Sequence, residues 1–249
     1  MADPTPTSPP ASPDPTIPDS LISTTDAISY WSSTEATITG MLGGYPQVSR
    51  IDLQSSSNFL TKLRRKSPHH PPSKPLSRIV DCGAGIGRIT LGLLSKVATV
   101  VDIVEPVAKF TAAIAHGDDF AEIRARGALG DIYTAGLESW TPSPPQRRYD
   151  VIWNQWCLSQ LTDAQLVAYF VRTTPHLTEG GWVVVKENLS NHPLDEDIFD
   201  ETDSSVTRSD RKFRRLFADA GLKIVATELQ KGFPKGLYPV RMYALQPGG

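Results

Sequence analysis

Asp81-Cys82-Gly83-Ala84-Gly85-Ile86-Gly87-Arg88, with Val101-Asp102-Ile103-Val104-Glu105 after it, is the stretch that decides how this chain folds. A strand-like run leads into the glycines and a helical pattern opens at Arg88, the context in which a glycine loop signals a nucleoside-type ligand. Glycines at 83, 85 and 87 permit a tight turn and let a ligand approach where a Cβ would collide. The spacing alone is a weak signal. Glu105 strengthens it, because a carboxylate at the end of the next strand can accept hydrogen bonds from both hydroxyls of a ribose. Asp102, earlier in that strand, is expected to point elsewhere.

Outward from this unit, strand-like runs fall at Arg78–Asp81, Val97–Val104, Ala128–Tyr133, Tyr149–Trp156, Trp182–Lys186, Lys223–Glu228 and Arg241–Leu245. Helix-like stretches lie between most of them, at about Arg88–Ser95, Pro106–Ala115, Asp163–Leu177 and Arg211–Ala220. Several strands are apolar runs rather than alternators, as expected where helices cover both faces of a parallel sheet. The expectation is a doubly wound α/β domain. The last two runs have no helix between them, which suits an antiparallel strand at the sheet's edge. Between Asp26 and Leu63 the apolar spacing predicts two short helices, interrupted by Gly43-Gly44-Tyr45-Pro46. Residues 1 to about 20, rich in Pro, Ser, Thr and Asp, lack the apolar surface that offsets ordering and are expected to form a disordered tail. Residues 21–249 are then one domain, with an N-terminal helical segment at 21–63 and a proline-rich surface loop at 64–77. His69 and His70 in that loop are expected to be solvated rather than metal ligands.

Composition narrows the function. Twenty-five basic against 27 acidic residues give a net charge of −2, which argues against nucleic acid as the main partner. No run approaches the roughly eighteen apolar residues a membrane span needs, and no secretory leader is evident. Cys82 and Cys157, the only cysteines, make neither a disulfide framework nor a zinc site. No metal is expected, and a reducing cytoplasmic setting, with the nucleus as a second possibility, fits.

Two ligands suit the glycine loop. A dinucleotide normally calls for G-x-G-x-x-G so that its pyrophosphate meets the helix N-terminus. Here the third glycine comes one residue early, and Asp81 at the head of the loop opposes a phosphate. S-adenosylmethionine has no phosphate; Arg88 could pair with its carboxylate while Asp81 or nearby carbonyls face its amino group. The methyl donor is therefore favoured over NAD, with a turn that binds nothing as the bland alternative. Gly136-Leu137-Glu138 follows the third strand and could frame an adenine through backbone groups, and Gln155 ends the fourth strand on the ligand-binding rim.

With these residues in view, the sequence resembles the eukaryotic protein α-N-terminal methyltransferases. The likeness runs from about Tyr30 to Leu245 and rests on Gly40-Met41-Leu42-Gly43-Gly44-Tyr45, the Asp81–Thr90 loop, Tyr149-Asp150-Val151-Ile152-Trp153, Leu161-Thr162-Asp163 and Asp203-Ser204-Ser205-Val206. It implies a class I S-adenosylmethionine-dependent methyltransferase, Rossmann-like, with a mostly parallel seven-stranded sheet, helices on both faces and an added N-terminal helical segment. It implies methylation of the α-amine of proteins beginning Xaa-Pro-Lys or Xaa-Pro-Arg, ribosomal proteins among them, with release of S-adenosylhomocysteine. Position by position, the resemblance assigns Gly83, Arg88, Glu105, Leu137 and Gln155 to the donor; Gly85 and Glu138 join them from the residue pattern. It assigns Trp31, Leu42, Gly43, Trp156, Asn188, Asp203, Leu237 and Tyr238 to the substrate channel. Two positions depart from the family: Glu105 stands where other members carry Asp, and Gln160 stands where a proton-accepting His is expected. Gln can orient an amine but cannot take its proton at neutral pH.

The chemistry explains why these residue types are wanted. The amine must be neutral to attack, and a reference pKa of about 7.7–8.0 leaves a fraction of it already so near pH 7. Positioning should therefore dominate the rate. Asp203 could hold the amine and accept its proton, and Asn188 could orient the first residue without adding charge. Trp156 offers a face for a second-position proline. Asp195–Asp203 supplies six acids in nine residues; Asp200 with Asp203, and Ser205 beside them, are the candidates for a third-position Lys, and the charge would also steer basic N-termini inward. The basic stretch Arg208–Arg215 is expected to be the exposed face of a helix that buries Phe213, Leu216, Phe217 and Ala220. A methyltransferase acting on a small molecule or a side chain, a donor-binding regulatory subunit and an NAD-dependent oxidoreductase are the rival functions at this stage.

Overall fold

A computed structural model of the protein describes residues 17–248. All seven expected strands are present: β1 (Leu76–Cys82), β2 (Ala98–Val104), β3 (Leu129–Tyr133), β4 (Tyr149–Gln155), β5 (Leu177–Asn188) and, after a two-stranded hairpin of β6 (Ile198–Asp200) and β7 (Ser205–Thr207), β8 (Leu222–Leu229) and β9 (Val240–Pro247). The seven form one sheet in the order β3-β2-β1-β4-β5-β9-β8. Pairing is parallel from β3 through β5, and β9 runs antiparallel to both β5 and β8. The antiparallel strand is thus one place in from the edge, and β8 forms the edge itself, because the β8–β9 hairpin inserts its second arm against β5.

The helices are α1 (Thr24–Ser33), α2 (Ile38–Met41), α3 (Val48–Arg65), α4 (Ser95–Val97, continuing a π turn at Thr90–Leu94), α5 (Ala108–His116), α6 (Ala121–Ala125), α7 (Asp163–Thr173) and α8 (Asp210–Asp219). All seven residues of β4 are buried, as a central strand covered on both faces requires. On one face Ile79, Val101, Val151, Trp153 and Val184 pack under Phe59 and Leu60 of α3 and Leu93 and Leu94 of the π turn. On the other, Val80, Ile152, Val183 and Tyr243 pack under Leu166, Tyr169 and Phe170 of α7 and Phe213 and Phe217 of α8. Full burial of each such aromatic or aliphatic side chain contributes about 1.5–3 kcal/mol. Thr162 and Gln165 start α7 with a reciprocal capping box.

Several expectations change. The N-terminal segment holds three helices, not two, and α3 is long. Most of the expected tail lies outside the described residues, and its end is structured: Pro18–Leu21 form a 3-10 turn in which Asp19 accepts the amide of Asp163. The proline-rich loop is packed down, since the buried Arg64 donates to the carbonyl oxygens of His70, Pro71 and Lys74. His70 is nearly buried against Trp182, with Asp150 3.8 Å away, whereas His69 keeps substantial exposure. The acid run is not a plain loop, because it enters the β6–β7 hairpin. Arg208 is fully buried rather than part of an exposed helical face, while Arg211, Arg214 and Arg215 do lie on the outer side of α8.

Candidate active site

The chain reverses its direction of travel across the sheet between β1 and β4, so their C-terminal ends border the crevice where such sheets bind ligands. The glycine loop leaves β1 there. Gly83 and Ala84 donate to the carbonyl of Val104, which straps the loop to the end of β2. Gly83 has φ +64°, and a Cβ at that position would run into the Cβ of Cys157, so the left-handed turn and the close approach both require glycine. Glu105, 5% exposed, accepts from Gly85 N and Val107 N, each at 2.8 Å, and burial pushes its carboxyl up to about 7 despite those bonds. Asp81 behind the loop accepts from Thr90 Oγ1 at 2.6 Å, and burial raises it to about 6. Asp102 is turned away, as expected, onto Arg78, Asp131 N and Tyr149.

These elements enclose a cavity. Asp81, Gly83, Gly85, Arg88 and Glu105 line it, with Val107, Phe110, Leu137 and Glu138, then Gln155, Trp156 and Gln160, and, from the N-terminal segment, Thr24, Ala27, Ile28 and Trp31 of α1 with Met41. Arg172 takes the carbonyl oxygens of Leu137 and Glu138 and fixes that turn. The Sδ of Met41 stands 2.8 Å from where a Cβ of Gly85 would be, so the Gly40–Tyr45 string is packed directly onto the donor loop. Ser23 N donates to Ser204 Oγ, and Lys109 donates to the carbonyls of Ser32 and Thr34, which tie both ends of α1 down.

Arg88 and Gln155 line the cavity, but their side chains already have a protein partner. Arg88 Nη1 lies 2.7 Å from Asp52 Oδ2, and Gln155 Nε2 donates to both oxygens of Asp52 at 2.9 and 3.0 Å. The other end of the Gln155 amide accepts from Trp153. Lys186, fully buried, completes the group with its Nζ 2.5 Å from Asp52 Oδ1. Asp52 and Lys186 were not singled out from the sequence. A signal was present: helical spacing puts Asp52 on the stripe with Val48, Ser56, Phe59 and Leu63, all buried, and Lys186 ends the apolar run Val183-Val184-Val185.

On the acceptor side Trp156 has φ +54°, an uncommon conformation for a bulky side chain, and its buried Nε1 has no hydrogen-bond partner among the described residues. The guanidinium of Arg88 lies 5.5 Å from its ring centroid. Gln160 Nε2 reaches Asp203 Oδ2 at 3.5 Å. The Oδ1 of Asp203 is buried without a partner among the described residues, and burial raises its pKa, with nearby Asp200 adding to the shift and Ser205 opposing it. Asp200 is exposed, pairs with Ser205 across the hairpin and accepts from Thr202 N. Asn188 ends β5 opposite Val240, beside the segment that carries Leu237 and Tyr238, where Leu189 N donates to Pro239 O. Of the expected substrate residues, Trp31, Trp156 and Gln160 line the enclosed cavity. Leu42, Gly43, Asn188, Asp200, Asp203, Ser205, Leu237 and Tyr238 do not, and of these Asp203 is joined to the cavity by its hydrogen bond from Gln160.

Two further buried groups hold the loop that carries Trp156 and Gln160. Glu187 Oε1 accepts from Cys157 N and Leu158 N, each at 2.9 Å, and burial pushes it up to about 7. Arg208 donates to the carbonyls of Leu158 and Leu161 and pairs with Asp163 at 2.9 Å. One acid under the amides and one base under the carbonyls pin the turn from both sides.

The sheet order, the glycine loop with Glu105 and the cavity at their junction define a class I, Rossmann-like methyltransferase that uses S-adenosylmethionine. A family model described as AdoMet dependent proline di-methyltransferase matches residues 19–246. The chain belongs to that family. It is 42% identical over 226 residues to Alpha N-terminal protein methyltransferase 1 of Schizosaccharomyces pombe, covering 89% of this chain and 95% of that one. It is 36% identical over 219 residues to N-terminal Xaa-Pro-Lys N-methyltransferase 1 of Xenopus tropicalis, covering 87% and 92%. A solved SAM-dependent methyltransferase from Leishmania major superposes with a TM-score of 0.76 at 37% identity, covering 89% of this chain and 82% of that one.

Proposed function

We propose that this enzyme methylates the α-amine of proteins beginning Xaa-Pro-Lys or Xaa-Pro-Arg. The observation that carries it is Asp203, which accepts from the cavity-lining Gln160 and whose buried Oδ1 has no partner among the described residues, in a chain related to the Xenopus enzyme named for that substrate. The cavity suits the donor: Glu105 would hold a ribose, the apolar side chains of Val107, Phe110 and Leu137 would suit an adenine, and Arg88 would offer positive charge to a carboxylate. When bound, S-adenosylmethionine supplies an electrophilic methyl group on a sulfonium, leaving S-adenosylhomocysteine.

The chain's own residues then have defined tasks. Asp203 Oδ1 accepts a hydrogen bond from the substrate amine and holds it, and its raised proton affinity lets it take the amine's proton. Gln160 cannot accept that proton; its amide steadies the carboxylate instead. Asp203 is therefore the single proton acceptor. Asn188 orients the first residue, and Trp156 gives the proline ring a flat face; its buried indole N–H, without a partner among the described residues, is a donor for a backbone carbonyl. Leu42, Gly43, Leu237 and Tyr238 wall the outer channel, and Asp200 with Asp203 and Ser205 attracts the third-position Lys or Arg. Ribosomal proteins with such N-termini in the cytoplasm, and also in the nucleus, are the inferred substrates.

Mass spectrometry of an Xaa-Pro-Lys hexapeptide incubated with enzyme and donor tests this. Added methyl mass on the free peptide and none on its N-acetylated twin is the expected result; equal labelling of both would exclude the α-amine.

A further inference from the structure

Asp52 is fully buried and does not line the donor cavity, but it holds two residues that do, Arg88 and Gln155, together with the buried Lys186. Arg88 and Lys186 both pair with Asp52, and Asp81 lies near Arg88 as well, so the arginine sits in a buried charged cluster next to the cavity. Charges taken out of water are costly unless paired, and Asp52 holds the Arg88 guanidinium in a charged setting that a carboxylate entering beside it would share. Arg88 itself is a long, rotamer-rich side chain; Asp52 on one side and the Trp156 ring on the other keep it in one place before any ligand arrives. Gln155, at the end of β4, is held by the same carboxylate.

A second contact keys the same turn of α3 to the donor loop. Leu53 Cδ1 lies 2.6 Å from where a Cβ of Gly92 would be, inside the π turn that begins just after Arg88. Neighbouring residues of α3 therefore grip both the arginine and the helix from which it projects.

We infer that Asp52 is a positioning residue for the donor: from helix α3 it presets Arg88 to receive the amino-acid carboxylate of S-adenosylmethionine. This rests on S-adenosylmethionine being the ligand of the cavity. Asp52 does not touch the donor; it acts through Arg88. Preorganising a side chain removes an ordering cost of about 0.5–1.5 kcal/mol per rotamer-rich group, which corresponds to roughly two- to tenfold in affinity.

The test compares two ligands on the full chain by calorimetry: S-adenosylhomocysteine, which carries the carboxylate, and 5′-methylthioadenosine, which keeps the adenosine and thioether and lacks the amino acid. In Asp52→Asn, affinity for S-adenosylhomocysteine should fall up to about tenfold while that for methylthioadenosine stays within about twofold. Equal losses for both ligands, or an unchanged affinity for S-adenosylhomocysteine, would overturn the inference. Asp52→Asn combined with Lys186→Met removes the acid together with the buried ammonium that depends on it, so it guards against misfolding, and the same selective loss is expected. Wild-type protein that binds S-adenosylhomocysteine no better than methylthioadenosine would also overturn it. Wild-type protein that binds neither would instead sink the donor assignment on which it rests.

Discussion

Asp203 accepts a hydrogen bond from Gln160 at Oδ2, and its Oδ1 is buried without a partner among the described residues. An acceptor left in that state costs free energy until something donates to it, and a substrate amine is the donor that the proposed reaction brings. Its raised pKa has a direct consequence. The carboxylate form is the one that works, so activity falls on the acid side, and the fall begins at higher pH than for an ordinary Asp. Asp203→Asn should lower kcat by at least about a hundredfold, the smaller end of general-base effects, and leave S-adenosylhomocysteine affinity unchanged. Single-turnover rates and calorimetry on the same preparation check both halves. Unchanged turnover would remove Asp203 from the site. At the same scale, the structure gives partners to the two residues expected from the sequence to depart from the family pattern, Gln160 and Glu105. Gln160 supports Asp203 by hydrogen bonding, and the longer Glu105 reaches back to Gly85 N and Val107 N.

The turn between β4 and α7 shows how an element is held for function. Trp156 is fixed at positive φ, a conformation that persists only where the surroundings impose it. Glu187 below the amides of Cys157 and Leu158 and Arg208 below the carbonyls of Leu158 and Leu161 impose it here. Glu187 carries a pH signature. Its folded pKa, about 7, lies above the ordinary value near 4.5, so between those values the folded state binds more protons than the unfolded one. The unfolding free energy therefore falls as pH rises through that window, and the contribution is fully present only below it. Glu187→Gln cannot titrate and should show a smaller loss of stability between pH 5 and 7.5 than wild type. Urea unfolding at the two pH values measures the difference, and equal losses would mean that Glu187 titrates normally. The hairpin β6–β7 was not legible in the sequence, because each strand is only three residues long and the first lies in an acid run with no useful period. The large strands were legible because β1, β2, β4 and β5 are apolar runs, and α8 because Phe213, Leu216 and Phe217 recur at helical spacing.

For the molecule as a whole, the donor cavity is lined by segments far apart in sequence: the glycine loop, the ends of β2 and β4, and residues of α1 and α2. A ligand that bridges them stabilises the folded state by mass action, about 2.7 kcal/mol at a concentration a hundred times its dissociation constant. S-adenosylhomocysteine should therefore raise the thermal midpoint in a concentration-dependent way, while NAD at the same concentrations should leave it unmoved. Differential scanning calorimetry distinguishes the two, and stabilisation by NAD alone would contradict the donor assignment.

The sequence by itself determined the α/β class, the seven strands of the main sheet, the glycine loop with its acidic partner and the family strings. Each of these depends on local chemistry: hydrophobic period, glycine conformation, or a residue at the end of a strand. Only the tertiary structure decided that Arg88 and Gln155 are both held by Asp52, that Lys186 lies buried with them, and that Glu187 and Arg208 clamp the Trp156 turn. Those partners are separated by long stretches of chain, 134 residues in the case of Lys186 and Asp52. Pairing between them is driven by the need to compensate charge taken out of water, and which charges lose their water is known only once helix α3 is seen lying over the sheet.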